Sequence, residues 1–94
     1  MNIDYTVQIW QEGGQFVAHA MPLDVMSSGQ TPAEARTALD EAVRLFLVTA
    51  ADQGSLEEIL DEAGYKLVGG EWVSPSWVAT ERHCLAIPAG ICPA

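Results

Sequence analysis

The side chains of this chain best equipped for metal or nucleophilic chemistry are His19, His83, Cys84 and Cys92, with Asp4 and Asp24 as carboxylates that could pair with each other for acid–base work, though nothing in the sequence fixes their distance. Their spacing argues against most of that chemistry. No two of the four nitrogen and sulfur ligands stand at i,i+3 or in a Cys-x-x-Cys arrangement, the spacings that let two ligands reach one zinc ion. His83 and Cys84 are adjacent, and neighbours on a strand point to opposite faces, which disfavours a thiolate–imidazole pair. Gly13-Gly14 and Gly69-Gly70 lack the spacing and the lysine of a phosphate-binding loop. The sequence therefore predicts no catalytic residue, no metal and no cofactor. A competing reading keeps His19 as the centre of an enzyme or small-ligand site, with a nearby carboxylate and a closed pocket as its requirements. Trp10, Trp72 and Trp77 are candidates of another kind. Tryptophan dominates contact hot spots, and it serves equally well as core or tail packing.

These side chains have to be positioned by a longer frame, and the frame is organised around Gly29 to Gly54. Thr31 reads as a helix N-cap, with Glu34 three residues on to reach back to the Thr31 N–H and Pro32 at the first helical position. Ala35, Ala38, Leu39, Ala42, Val43, Phe46, Leu47 and Ala50 then recur at steps of three and four, one apolar stripe on a helix. Asp40 and Arg44 stand i,i+4 on its polar face, and Gly54 closes it.

Before this helix, Ile3, Tyr5, Val7 and Ile9 alternate with polar residues, a period-two strand. Gly13-Gly14 makes a tight hairpin to a second strand, Phe16 to Met21, which Pro22 stops. With Gly13 and Gly14 as the loop, Trp10 faces Val17, Ile9 faces Ala18, Gln8 faces His19, Val7 faces Ala20 and Thr6 faces Met21. One face then holds Val7, Ile9, Ala18 and Ala20 and suits the helix. The other holds Thr6, Gln8, Trp10, Val17, His19 and Met21. Its apolar share predicts a cover: the chain's own tail, a second copy, or a partner. Val25-Met26-Ser27-Ser28 reads as a short third strand. Ser55-Leu56-Glu57-Glu58 reads as a second capping box opening a short helix that ends at Gly64. A loop or second tight turn follows, and Trp77 to Ile87 reads as a returning strand ahead of a frayed tail from Pro88 to Ala94.

At 94 residues there is room for one domain, and an apolar share of 49% is that of a folded chain. The formal charge of −9, with four lysines and arginines in all, opposes direct binding of nucleic acid or an anionic membrane and favours a basic protein partner. Asp52, Glu57, Glu58, Asp61 and Glu62 crowd into one short stretch, as a solvated helix face or as an electrostatic docking site. The N-terminus shows no basic region ahead of an apolar run, and no apolar stretch approaches the ~20 residues of a membrane span. The expectation is a cytoplasmic protein with Cys84 and Cys92 reduced.

The order Tyr5-Thr6-Val7-Gln8-Ile9, Glu12-Gly13-Gly14-Gln15-Phe16-Val17-Ala18, Pro22-Leu23 and Gly29-Gln30-Thr31-Pro32-Ala33-Glu34-Ala35 resembles the HicB-like antitoxins. The resemblance covers residues 3 to 50 and continues more loosely through Gly64-Tyr65 and Trp72-Val73-Ser74-Pro75. It implies a partial ribonuclease-H-like fold without nuclease activity. It also implies a partner, a small basic HicA-type toxin that cleaves mRNA and is neutralised by occlusion. Many members carry a C-terminal DNA-binding segment. Here the residues after Pro75 are few and include one basic side chain, Arg82, so no such module is expected, and the connector from Pro22 to Gly29 lacks the family's Pro-Gly step.

The fold class expected is α+β: a three-stranded antiparallel sheet, a returning C-terminal strand, and one long and one short helix on one face. The function expected is that of a protein-binding, non-enzymatic antitoxin domain. Gln8, Trp10, Val17, His19 and Met21 would carry partner binding or self-association, and Glu57, Glu58, Asp61 and Glu62 would supply electrostatic complement. The alternative is a solitary HicB-like domain without a toxin, a dimer or tetramer binding a small ligand or serving a structural role.

Overall fold

A computed structural model describes residues 1–88. Strands β1 (Thr6–Glu12), β2 (Gln15–Met21) and β3 (Val25–Gly29) form an antiparallel sheet in the order β1-β2-β3. Helix α1 (Pro32–Asp52) covers one face of it, and helix α2 (Leu56–Glu62) packs against α1. A small hairpin, β4 (Lys66–Val68) and β5 (Glu71–Val73), follows.

The β1–β2 register is the one the two-glycine loop dictates: Trp10 pairs with Val17, Ile9 with Ala18, Gln8 with His19, Val7 with Ala20 and Thr6 with Met21. Alternation then turns Ala18 and Ala20 toward the helix, where both are fully buried with Ala35, Leu39 and Val43. Small side chains on the sheet let α1 approach closely. Val7, Ile9, Phe16, Val25 and Leu47 close the margins of this core. Gly29 serves the same approach at the end of β3: a Cβ there would lie 2.6 Å from the Ala35 amide nitrogen.

The helix ends follow local rules with three departures. The Thr31 hydroxyl accepts the Glu34 N–H, as an N-cap should. The Glu34 carboxylate, however, accepts the N–H of Gln30 rather than that of Thr31. Asp40 and Arg44 form no ion pair; Asp40 instead accepts the Tyr5 hydroxyl. The capping box expected at Ser55 is not made. Ser55 belongs to the end of α1: its N–H donates to the Ala50 carbonyl while Gly54 N–H donates to Ala51, a Schellman motif, and the Ser55 hydroxyl turns to the same Ala50 oxygen. The Ser55 backbone, at φ −108 and ψ 3, is also off the extended form in which an N-cap side chain accepts from the first turn. Gly54 and Gly64 take the positive φ these stops need, and the second stop repeats the pattern with Gly64 bonded to Asp61 and Tyr65 to Leu60.

The returning strand expected from 77 to 87 is not formed among the described residues. Earlier residues make the C-terminal pairing. Gly69 and Gly70 both have positive φ, which fits a tight two-residue turn, and β4–β5 forms around them. Pro75, with no N–H to give a ladder, follows one residue after β5. A strand needs a partner edge, and residues 77–88 engage none. Pro88 is described, and the rest of the expected frayed tail, with Cys92, lies outside the described residues.

Candidate functional site

The face of the sheet opposite α1 carries Thr6, Gln8, Trp10 and Glu12 from β1, Val17, His19 and Met21 from β2, and Met26 and Ser28 from β3. The alternation and the two registers place them there. Gln8, Trp10, Val17, His19 and Met21 therefore share one surface, as the hairpin register implied. No helix covers them. Trp10 is 39% exposed and Met26 58% exposed, so a band of large apolar side chains faces outward with polar residues at its rim. None of the four lysines and arginines lies on it; they are Arg36, Arg44, Lys66 and Arg82.

Met26 and Ser28 are members of this region that sequence reasoning did not assign to it, and Asp24, considered only as a partner for Asp4, belongs here beside His19. The signal for the first two was present: once Val25–Gly29 pairs with β2, Met26 falls opposite His19 and Ser28 opposite Val17. Asp24 was hidden because a turn residue has no period. It sits at φ +60 in the β2–β3 connection, its N–H bonded to the Ala20 carbonyl, and its carboxylate reaches His19 Nε2 at 2.6 Å. The Trp10 ring meets the His19 ring edge-on, with centroids 6.2 Å apart. Gln8, opposite His19 in the ladder, completes this neighbourhood.

A carboxylate-oriented imidazole is half of a general-base device. Here the Asp24 side chain is 80% exposed and the pair lies on an open sheet face. That geometry anchors a turn and leaves the carboxylate open to water; a general base works best in a closed site where water does not compete. His83 and Glu81 make a second histidine–carboxylate contact, exposed on both sides, in the C-terminal segment. No group of three or more histidine, cysteine, aspartate or glutamate side chains converges among the described residues.

The acidic residues Glu57, Glu58, Asp61 and Glu62 are all exposed on α2. Because α2 packs on α1, they stand on the helix side of the molecule and not with the open sheet face. The two groups of expected binding residues are thus separate surfaces.

A third cluster surrounds Asp4. Its carboxylate accepts the Ser74 N–H and the Ser74 hydroxyl, both at 2.7 Å, and its carbonyl accepts the Tyr65 hydroxyl at 2.6 Å. The two Ser74 bonds hold the Asp4 carboxyl below its ordinary value. Burial, with the Asp4 charge nearby, pushes the Tyr65 hydroxyl up to about 12; burial and the bond to Asp40 do the same for Tyr5. This cluster ties the C-terminal segment to the start of β1.

Comparison with family models, with curated proteins and with solved structures returned no match. No helix among the described residues is long and apolar enough to cross a membrane.

Proposed function

We propose that the chain is a HicB-like protein-binding domain that neutralises a small basic mRNA-cleaving toxin of the HicA type by covering it, without chemistry of its own. The observation that carries this reading is the open sheet face: Trp10 and Met26 exposed on it with the half-buried Val17 beside Trp10, and no cation among them. Apolar surface of this kind gains from burial against a partner. Aromatic and methionine anchors suit an interface core, and the charge of −9 over the chain accelerates encounter with a basic partner. The acidic face of α2 adds to that field from the other side. The residues assigned to contact are Gln8, Trp10, Val17, His19 and Met21, with Met26 beside them. Cytoplasmic residence belongs to the same reading.

The test is co-purification of the tagged chain with its partner, repeated with Trp10→Ala/Val17→Asp. A small basic protein at near-equal amount with the unaltered chain, and its loss with the double variant at unchanged circular dichroism, is the expected result. Undiminished capture by the variant would move the contact elsewhere. A solitary domain without a toxin is the second reading, and exposed apolar residues in the C-terminal segment favour it.

A further inference from the structure

We infer that the cleft between α1 and α2 is a docking groove for a basic amphipathic helix of another protein. The inference stands apart from the toxin reading, because the cleft lies on the helix side of the molecule and shares no residue with the open sheet face.

The cleft holds about 330 Å³. The half-buried Ala42 and Ile59 and the buried Ala50 line it, and Leu45 and Phe46 stand at it 68% and 37% exposed. Two large apolar side chains kept in water beside an apolar lining gain from a partner that covers them. The chain's own C-terminal segment is led elsewhere. Trp72 N–H donates to the Asn2 carbonyl, and Trp77 Nε1 donates to Thr6 Oγ1. Asn2 and Tyr5 meet α1 on its other flank, beside Asp40, Arg44 and Leu47.

Charge selects the occupant, because it is sorted across α1. Arg36 and Arg44, the two cations of this helix, share a row with Asp40 at steps of four, on the flank that meets Tyr5. No lysine or arginine lines the cleft. Glu41 stands one turn before Leu45, and Asp52 one turn after Thr49. From α2, Ser55 and Ile59 line the cleft, and Glu58 and Glu62 follow each by one turn. All four carboxylates are exposed. An apolar groove with acid on both rims fits apolar anchors flanked by lysine or arginine, and it repels a second copy, which would bring the same acidic rim to it. The walls select the backbone form. Both are helices and offer no strand edge to an extended peptide, whereas a helix satisfies its own backbone and needs only the groove. Ala38 and Ala42, small and four apart, carry the groove along α1 and let a partner helix lie close.

NMR titration of the full chain with a synthetic leucine–lysine helix, leucines on one face, tests this, with a leucine–glutamate helix of the same pattern as control. Saturable shifts at the Leu45, Phe46, Thr49 and Ile59 amides are expected with the lysine helix and not with the glutamate helix. Leu45→Ala/Phe46→Ala, at two exposed positions of a helix that alanine favours, should raise the Kd at least about tenfold at unchanged circular dichroism. Glu41→Gln/Glu58→Gln/Glu62→Gln should flatten the salt dependence of that Kd. Trp10→Ala/Val17→Asp should change neither, which separates failure here from failure of the toxin reading. Shifts that map to the open sheet face overturn the inference, as does a Kd indifferent to the alanine pair. So do equal binding of the glutamate helix, no binding of either helix, and shifts at the cleft that grow with protein concentration alone, which mean a second copy.

Discussion

Asp24 is the residue where local conformation and the candidate site meet. It occupies the left-handed region, which costs a non-glycine residue roughly 1–2 kcal/mol, while its carboxylate holds His19. Asn tolerates that backbone and can still bond the imidazole, whereas Ala does neither. Asp24→Ala is expected to cost about 1–2 kcal/mol in chemical denaturation, and Asp24→Asn a fraction of it. Asp4 sets the acid behaviour of the C-terminal segment. Its carboxyl is lowered from 3.8 by Ser74, so its contribution is present above that pH and lost as pH falls through its lower folded value. Ser74 amide protection should fall in that acid range, and Asp4→Asn should lower it at neutral pH. Tyr5 and Tyr65 act at the other end. Both hydroxyls are raised from 10.0 to about 12, so their neutral forms stabilise the fold below pH 10 and that contribution disappears as pH rises toward 12. Spectroscopic titration of Tyr5→Phe and Tyr65→Phe should remove one late-titrating tyrosine each. None of these pairings was legible in the sequence: Asp4 meets Ser74, and Tyr5 meets Asp40, across distances in the chain that no period encodes.

At the scale of elements, the sequence was most informative where a rule is local. The Gly13-Gly14 loop fixed the β1–β2 register, because a two-residue hairpin leaves one pairing. The α1 stripe placed Ala35, Leu39 and Val43 in the core, and all three are buried. The stripe overstated Phe46, which is exposed. Phe46 sits on the part of α1 that turns toward α2, lining a cleft with Thr49, Ser55 and Ile59 rather than packing on the sheet. The strand read from 77 to 87 failed because its pattern, apolar ends around the polar run Thr80-Glu81-Arg82-His83, gives neither face a continuous apolar row, and no edge receives it among the described residues. Two substitutions test the packing. Leu39→Ala is expected to cost about 2–5 kcal/mol as a cavity, read as a shift in the denaturation midpoint. Gly29→Ala is expected to cost about 1–3 kcal/mol, because its Cβ would collide with α1 backbone that cannot rotate away as a side chain would.

On the scale of the whole molecule, charge and exposed apolar surface are arranged in separate places. The acidic residues of α2 lie on the helix side and the apolar band of Trp10, Val17 and Met26 on the open sheet face, while the segment 77–87, which carries no net charge, starts at Thr6, to which Trp77 is bonded. Composition announced the acidity, and the hairpin register announced the open face. Where the two stand relative to each other required the packing of α2 on α1. An acidic body with an uncovered face fits capture of a basic protein, and raising ionic strength should slow that association far more than it speeds dissociation. The central claim is that this capture happens through the open sheet face. The most direct measurement is the stoichiometry of a co-purified small basic protein, compared between the unaltered chain and Trp10→Ala/Val17→Asp. Near-equal amounts with the first and none with the folded second is the result this account predicts. Equal capture by both, or no basic protein with either, would contradict it.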